Sequence, residues 1–151
     1  MATILDGKAV RDQILAECAS RVERLKALGR PPGLAVVLVG NDPASHTYVR
    51  NKIKACQDLG IHSDRLTPPE SVTTQALLDL VASLNRRAEI DGILVQLPLP
   101  RHVDTRAVLD AIDPAKDVDG LHPVNLGLLV ANRPGLRPCT PSGILEMLRR
   151  Y

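Results

Sequence analysis

The sequence predicts an α/β fold, a three-layer αβα sandwich with a mostly parallel sheet, and three observations carry that expectation. Two segments, GLAVVLVG (33–40) and DGILVQLPL (91–99), are aliphatic almost throughout, as strands buried on both faces of a parallel sheet are. Amphipathic helical stretches precede, separate and follow them, the alternation expected of βαβ units. The 151 residues are 44% hydrophobic yet hold no Phe or Trp and only two Tyr, so the core must be aliphatic. A chain of this length hides roughly 68–70% of the surface it would expose unfolded, enough for one cooperative core.

Taken in order, Asp6 is placed to cap a long first helix with apolar residues at Val10, Ile14, Cys18, Val22, Leu25 and Leu28. Gly29 and Pro31-Pro32 stop it before the first strand. Residues 41–45 read as a turn, and a second helix carries Val49, Ile53, Cys56 and Leu59 inward and ends at Gly60. Residues 61–66 read as a short edge strand. Thr73-Thr74 caps a third helix with Leu77, Leu78, Val81 and Leu84 inside, followed by the second aliphatic strand. A short helix over 105–112, a polar loop over 113–123 and helical turns over 123–131 follow. Pro141 then opens a last helix whose apolar face, Ile144, Leu145 and Leu148, runs to Tyr151 without a stop signal.

Composition narrows the function classes. Nineteen basic against seventeen acidic residues, interspersed, form no basic stripe, and the chain lacks the aromatic platform that single-stranded nucleic acid needs. No run approaches a membrane span, and the N-terminus does not read as a signal peptide, so a cytoplasmic protein with no membrane or nucleic-acid partner is expected. Three cysteines without C-x-x-C spacing suggest neither a disulfide framework nor a zinc site. Cys18 and Cys56 read as buried thiols. No two glycines are spaced G-x-G, so no dinucleotide fingerprint is present.

In such sheets ligands bind beyond the carboxyl ends of strands, which directs attention to residues 40–52, 95–100 and 113–123. Tyr48 and Lys52 are four apart and share one helix face, where both an ordinary snorkelling surface and a shared ligand fit the spacing. Gln96 ends an aliphatic run; it either ties down a loop or meets an ammonium such as that of Lys52. Asp117 and Asp119 alternate before Gly120, but further oxygen ligands for a metal loop are missing, and turn capping suits Asp117. His46, His62, His102 and His122 form no ligand pair or triad and read as loop or surface histidines.

Four ordered motifs, DPASHTYVRNKIKACQDLGI, DGILVQLPLP, PAKDVDGLHPVNLG and PCTPSGI, closely resemble the bifunctional methylenetetrahydrofolate dehydrogenase/methenyltetrahydrofolate cyclohydrolase family. The likeness runs from LDGKAV near the start to PCTPSGILEML at the end. It implies NADP-dependent oxidation of methylenetetrahydrofolate to the methenyl cation and its hydrolysis to formyltetrahydrofolate, without a metal. That places the intact enzyme in one-carbon metabolism, supplying purine, methionine and histidine biosynthesis, as a cytoplasmic homodimer.

Residue by residue, the resemblance implies that Tyr48 stacks on the folate and Lys52 is the key catalytic group. Gln96 would hydrogen-bond Lys52, Val95 and Leu97 would line the pocket, and Asp119 would hold the pterin edge. It implies a folate-binding catalytic domain over 1–140, with 141–151 starting an interdomain helix. The Rossmann-type NADP domain is expected to be missing from this chain, leaving Thr140 at the junction as its one candidate for cofactor contact. A non-catalytic folate-binding or partner-binding fragment is the alternative, and a flavodoxin-like domain is what pattern alone would give.

Overall fold

A computed structural model describes residues 4–151; Met1, Ala2 and Thr3, at the start of the expected domain, lie outside the described residues. Helix α1 (Gly7–Ala27) is followed by β1 (Gly33–Val37), α2 (Pro43–Leu59), β2 (His62–Leu66), α3 (Thr74–Arg86) and β3 (Gly92–Val95). Three helices complete the chain: α4 (Thr105–Asp110), α5 (Pro123–Val130) and α6 (Cys139–Arg150). The expected caps form. Asp6 accepts from the amides of Lys8 and Ala9, Thr73 accepts from that of Ala76, and Gly60 closes α2 at φ 74°, a left-handed conformation that glycine enters without steric cost.

The three strands form one parallel sheet in the order β2-β1-β3, with Leu34 opposite both Ser63 and Gly92. Alternation along β1 and β3 divides the core in two. Ala35, Val37, Ile93 and Val95 pack with Leu77, Val81 and Leu84 of α3 and with Val108 of α4. Val36, Leu38 and Leu94 point the other way and meet Val49 and Ile53 of α2, with Val118 beside them. These are the three layers expected.

Both aliphatic strands are shorter than their apolar runs, ending at Val37 and Val95 rather than Gly40 and Leu99. Pairing continues past those points only through isolated hydrogen bonds, from Leu38 to Leu66, from Gly40 to Pro68 and from Gln96 to Val37, because the chains diverge there into loops. Helix α1 departs further from expectation. Val10 and Val22 are buried, but Leu25 and Leu28 are 41% and 80% exposed and Cys18 is only partly covered. This helix lies against α2 and α6 rather than on the sheet, so its apolar stripe is incompletely roofed. No helix among the described residues is long and apolar enough to cross a membrane.

A groove between helix α2 and the 116–120 loop

Helix α2 runs back down one face of the sheet, which carries Lys52, nine residues in, about 14 Å from the helix start. The 116–120 loop comes to meet it. Ile93 donates to the Lys116 carbonyl at 2.7 Å, and Ile93 pairs with Asp117 as a single parallel bridge on the free edge of β3. Lys116 turns away and caps the C-terminus of α3, donating to the carbonyls of Asn85 and Arg87 at 2.8 Å each. Asp117 is 3% exposed and accepts from the His122 amide at 2.8 Å and the Asn125 side chain at 3.0 Å, the capping role expected of it. Fixed on both sides, the loop delivers Asp119 opposite Lys52.

Lys52, Cys56, Leu34, Val118, Asp119 and Cys139 line a groove of about 400 Å³. A second opening of about 270 Å³ shares Lys52, Asp119 and Cys139 and is walled by Leu121 and by residues 138–141, Thr140 among them. Burial pushes the Asp119 carboxyl above the ordinary Asp range; the Lys52 charge opposes that rise and Asp117 adds to it. Burial, followed by the charge of Asp119, likewise raises the Cys139 thiol, whose Sγ donates to the Val118 carbonyl at 3.1 Å. The result is a partly apolar groove holding one cation and two carboxylates, of which Asp91 is already engaged by Arg30 and by the Gly33 amide. The Asp119 carboxylate suits a flat group with paired N–H donors, and Lys52 is free of any ion pair within 4.0 Å among the described residues.

Other expected residues fall around this centre unequally. Tyr48 stands one turn before Lys52 on the same helix face and is 65% exposed, with its ring open to solvent. Gln96 lies on the α2 side of the sheet by alternation, but its expected bond to Lys52 is not formed. Its Nε2 donates to its neighbour, the Leu97 carbonyl, at 2.8 Å, and its Oε1 is buried without a partner among the described residues. That acceptor stands ready for an ammonium or a ligand N–H. Val95 and Leu97 need correction: they pack in the α3-side core, the face opposite Lys52, because strand residues alternate faces.

The location of the groove is a second correction. Gly33 and Asp91, at the amino ends of β1 and β3, take part in its lining, whereas the 95–100 segment does not. The carboxyl edge of β1 and β2 holds a separate cavity of about 450 Å³, where Arg65 donates to His46 Nδ1 at 2.9 Å and no residue of the expected constellation enters. All four histidines are engaged in local structure: His62 with Asp64, His102 with the Val72 carbonyl, and His122 as the cap of α5.

Two contributors escaped the sequence reading. Cys56 follows Lys52 by four residues, a spacing that already puts it on the Lys52 face as well as near the core. Cys139 lies within the PCTPSG motif, yet nothing local marks it as a groove wall. A dinucleotide finds no comparable fit. Where glycine brings the backbone close to something, that something is the chain itself: the Glu89 carbonyl at Gly33, Val118 at Gly92, and the Arg137–Pro138 backbone at Gly120. NADP would have to be held by residues other than these.

Residues 5–119 match the family model described as the tetrahydrofolate dehydrogenase/cyclohydrolase, catalytic domain. The chain belongs to this family. Among family members, the bifunctional protein FolD of Solibacter usitatus is 63% identical over 150 residues, and that of Koribacter versatilis is 60% identical, each match taking in 99% of this chain and 49% of the relative. The chain thus spans about half the length of the curated relatives it matches. The crystal structure of the bifunctional FolD enzyme of Campylobacter jejuni superposes with a TM-score of 0.96 at 45% identity, covering 99% of this chain and 53% of that one. The Trypanosoma brucei family member, solved with NADP cofactor and inhibitor, gives 0.94 at 41%, covering 98% and 51%.

Proposed function

We propose that this chain is the substrate-binding catalytic part of an enzyme that oxidises methylenetetrahydrofolate with NADP and hydrolyses the methenyl product to formyltetrahydrofolate. The observation that carries this reading is the convergence of Lys52 and Asp119, from elements far apart in sequence, on one groove in a chain of this family. The intact enzyme is read as a cytoplasmic homodimer. Hydride transfer to NADP depends on groups beyond those described, and the part of this chain is to hold and orient the folate.

In that role Asp119 accepts two hydrogen bonds from the guanidine-like edge of the pterin, a charge-assisted contact stronger than a neutral one. The exposed Tyr48 ring offers the stacking surface for the remainder of the folate. Water adds to the cationic methenyl carbon and loses a proton; one carbon–nitrogen bond then breaks as its nitrogen takes a proton. Lys52 in its neutral amine form is the group that accepts the first proton and, as the ammonium so formed, returns one to the leaving nitrogen, and the unpartnered Gln96 Oε1 is the acceptor that can orient that ammonium.

Lys52→Ala in the full-length protein is expected to slow hydrolysis of methenyltetrahydrofolate by about 10²–10⁴-fold, the usual contribution of a positioned acid–base group. Rates are read by absorbance after subtracting spontaneous hydrolysis. Wild-type turnover in the Lys52→Ala protein would remove Lys52 from the mechanism.

A further inference from the structure

Residues 138–141, which wall the second opening and put Cys139 into the groove as well, lead into and begin helix α6, and no residue of α6 is buried. Core packing therefore does not fix this helix; besides Met147, a flexible side chain that rests against Gly7 of α1, two attachments hold it, one at each end. At its start Cys139 Sγ meets the Val118 carbonyl, and the Arg137–Pro138 backbone crosses Gly120 so closely that a Cβ there would lie 2.3 Å from the Arg137 carbonyl carbon. At its far end Arg150 reaches across to α1, where Nη1 and Nη2 donate to the two carboxylate oxygens of Glu17 at 2.7 and 3.0 Å. Nη1 also reaches Gln13 at 3.4 Å, and Nε donates to Glu146 on α6 itself at 3.2 Å. Beside them the Asp6 amide donates to the Tyr151 hydroxyl at 3.0 Å.

One attachment would leave a twelve-residue helix free to pivot about its start, and a thiol is a weak donor. A second attachment about 18 Å away removes that freedom. Exposed ion pairs are usually worth little, but the bidentate arginine–carboxylate pair within a network is the exception, and the Arg150 side chain is only 23% exposed. We infer that the Glu17–Arg150 clasp is a positioning device for the groove: by pinning the end of α6 to α1, it sets where Cys139, Thr140 and Pro141 stand relative to Lys52 and Asp119. Glu17 and Arg150 touch no ligand in this account and act through the wall. The affinity arm of the test rests on the folate reading above; the thiol arm does not.

The test uses full-length protein as wild type, as Glu17→Gln, and as Asp12→Asn, which removes an α1 carboxylate paired, among the described residues, with Arg11 alone. Iodoacetamide alkylation of each cysteine is followed by mass spectrometry, and the dissociation constant for 5-formyltetrahydrofolate is measured on the same samples. Glu17→Gln is expected to alkylate about threefold faster at Cys139, as is the wild type in about 0.5 M NaCl, with no further salt effect on the variant. Cys56 and the Asp12→Asn protein should keep wild-type rates, and the dissociation constant of Glu17→Gln should rise about threefold as well. Unchanged Cys139 alkylation, faster alkylation with unaltered folate affinity, or equal acceleration at Cys56 would each overturn the inference. A wild type that binds no folate while the Cys139 pattern holds would remove the functional reading and leave the clasp's control of the groove standing.

Discussion

Asp119 is under two opposed demands. Burial raises its pKa, so the folded chain holds this proton more tightly than the unfolded chain does. By linkage, its contribution to stability is largest below the ordinary Asp value of 3.8 and falls as the pH climbs from there through the raised value. At neutral pH the ionised group is therefore a cost, one that a ligand's N–H donors offset on binding. Asp119→Asn is expected to melt above the wild type at pH 7, with the gap shrinking as pH drops toward 3.8, while binding folate about tenfold or more weakly. Melts across pH together with a folate titration check this; an Asn variant that melts no higher at pH 7 would show that the carboxylate is not under strain. The same scale shows how far residues were legible. Spacing alone placed Tyr48 and Lys52 on one face, and they share it. The partner of Gln96 was not legible, because an amide takes the nearest acceptor its rotamer reaches, here the carbonyl of the next residue.

At the scale of elements, order and type followed from periodicity and caps, whereas ends and covering did not. Periodicity identifies an apolar face without naming its cover, which is why Leu25 and Leu28 of α1 read as core and stand exposed. An apolar run likewise outlasts its strand once the neighbouring strand turns away, as at Leu38 and Val39, buried but beyond β1. The 116–120 loop is the element on which the groove most depends, and its anchor is Asp117 rather than Asp119. Removing the Asp117 carboxylate leaves the His122 amide without its acceptor and takes from the buried Asn125 one of its two. Asp117→Ala is expected to cost about 2–3 kcal/mol, a fall of roughly 5–10 °C in Tm for a domain of this size, and to weaken folate binding although Asp117 lines neither opening. Asp117→Asn, which keeps the shape and one acceptor, should lose less. Calorimetry of the two variants beside the wild type decides it, and equal Tm values for all three would show that the loop is held by other means.

Over the whole molecule the two faces of the sheet differ in what covers them. The α3 side is closed by α3 and α4, whereas beyond α2 the chain ends in α5 and α6, with Val130 at 89% exposure, Leu148 at 60% and Ile144 at 56%. The sequence made the α6 stripe legible, but a stripe is only half of an interface, and this chain spans about half the length of the relatives it matches. Among the described residues Ile144 and Leu148 stand more than half exposed, so Ile144→Glu with Leu148→Glu should leave the Tm of this chain within about 2 °C, as substitutions on open surface do. An exposed apolar face also promotes association, so light scattering should show the double variant less aggregated than the parent at equal concentration. If instead the substitutions lower Tm by more than this in the 151-residue chain, then the Ile144–Leu148 stripe, and not only the α1-facing side of α6, has a packing partner inside it. The same pair placed in a longer product carrying this chain reads the other possibility: a loss of stability there, absent from the shorter chain, would mark α6 as a covered interface and its exposed stripe as a contact surface.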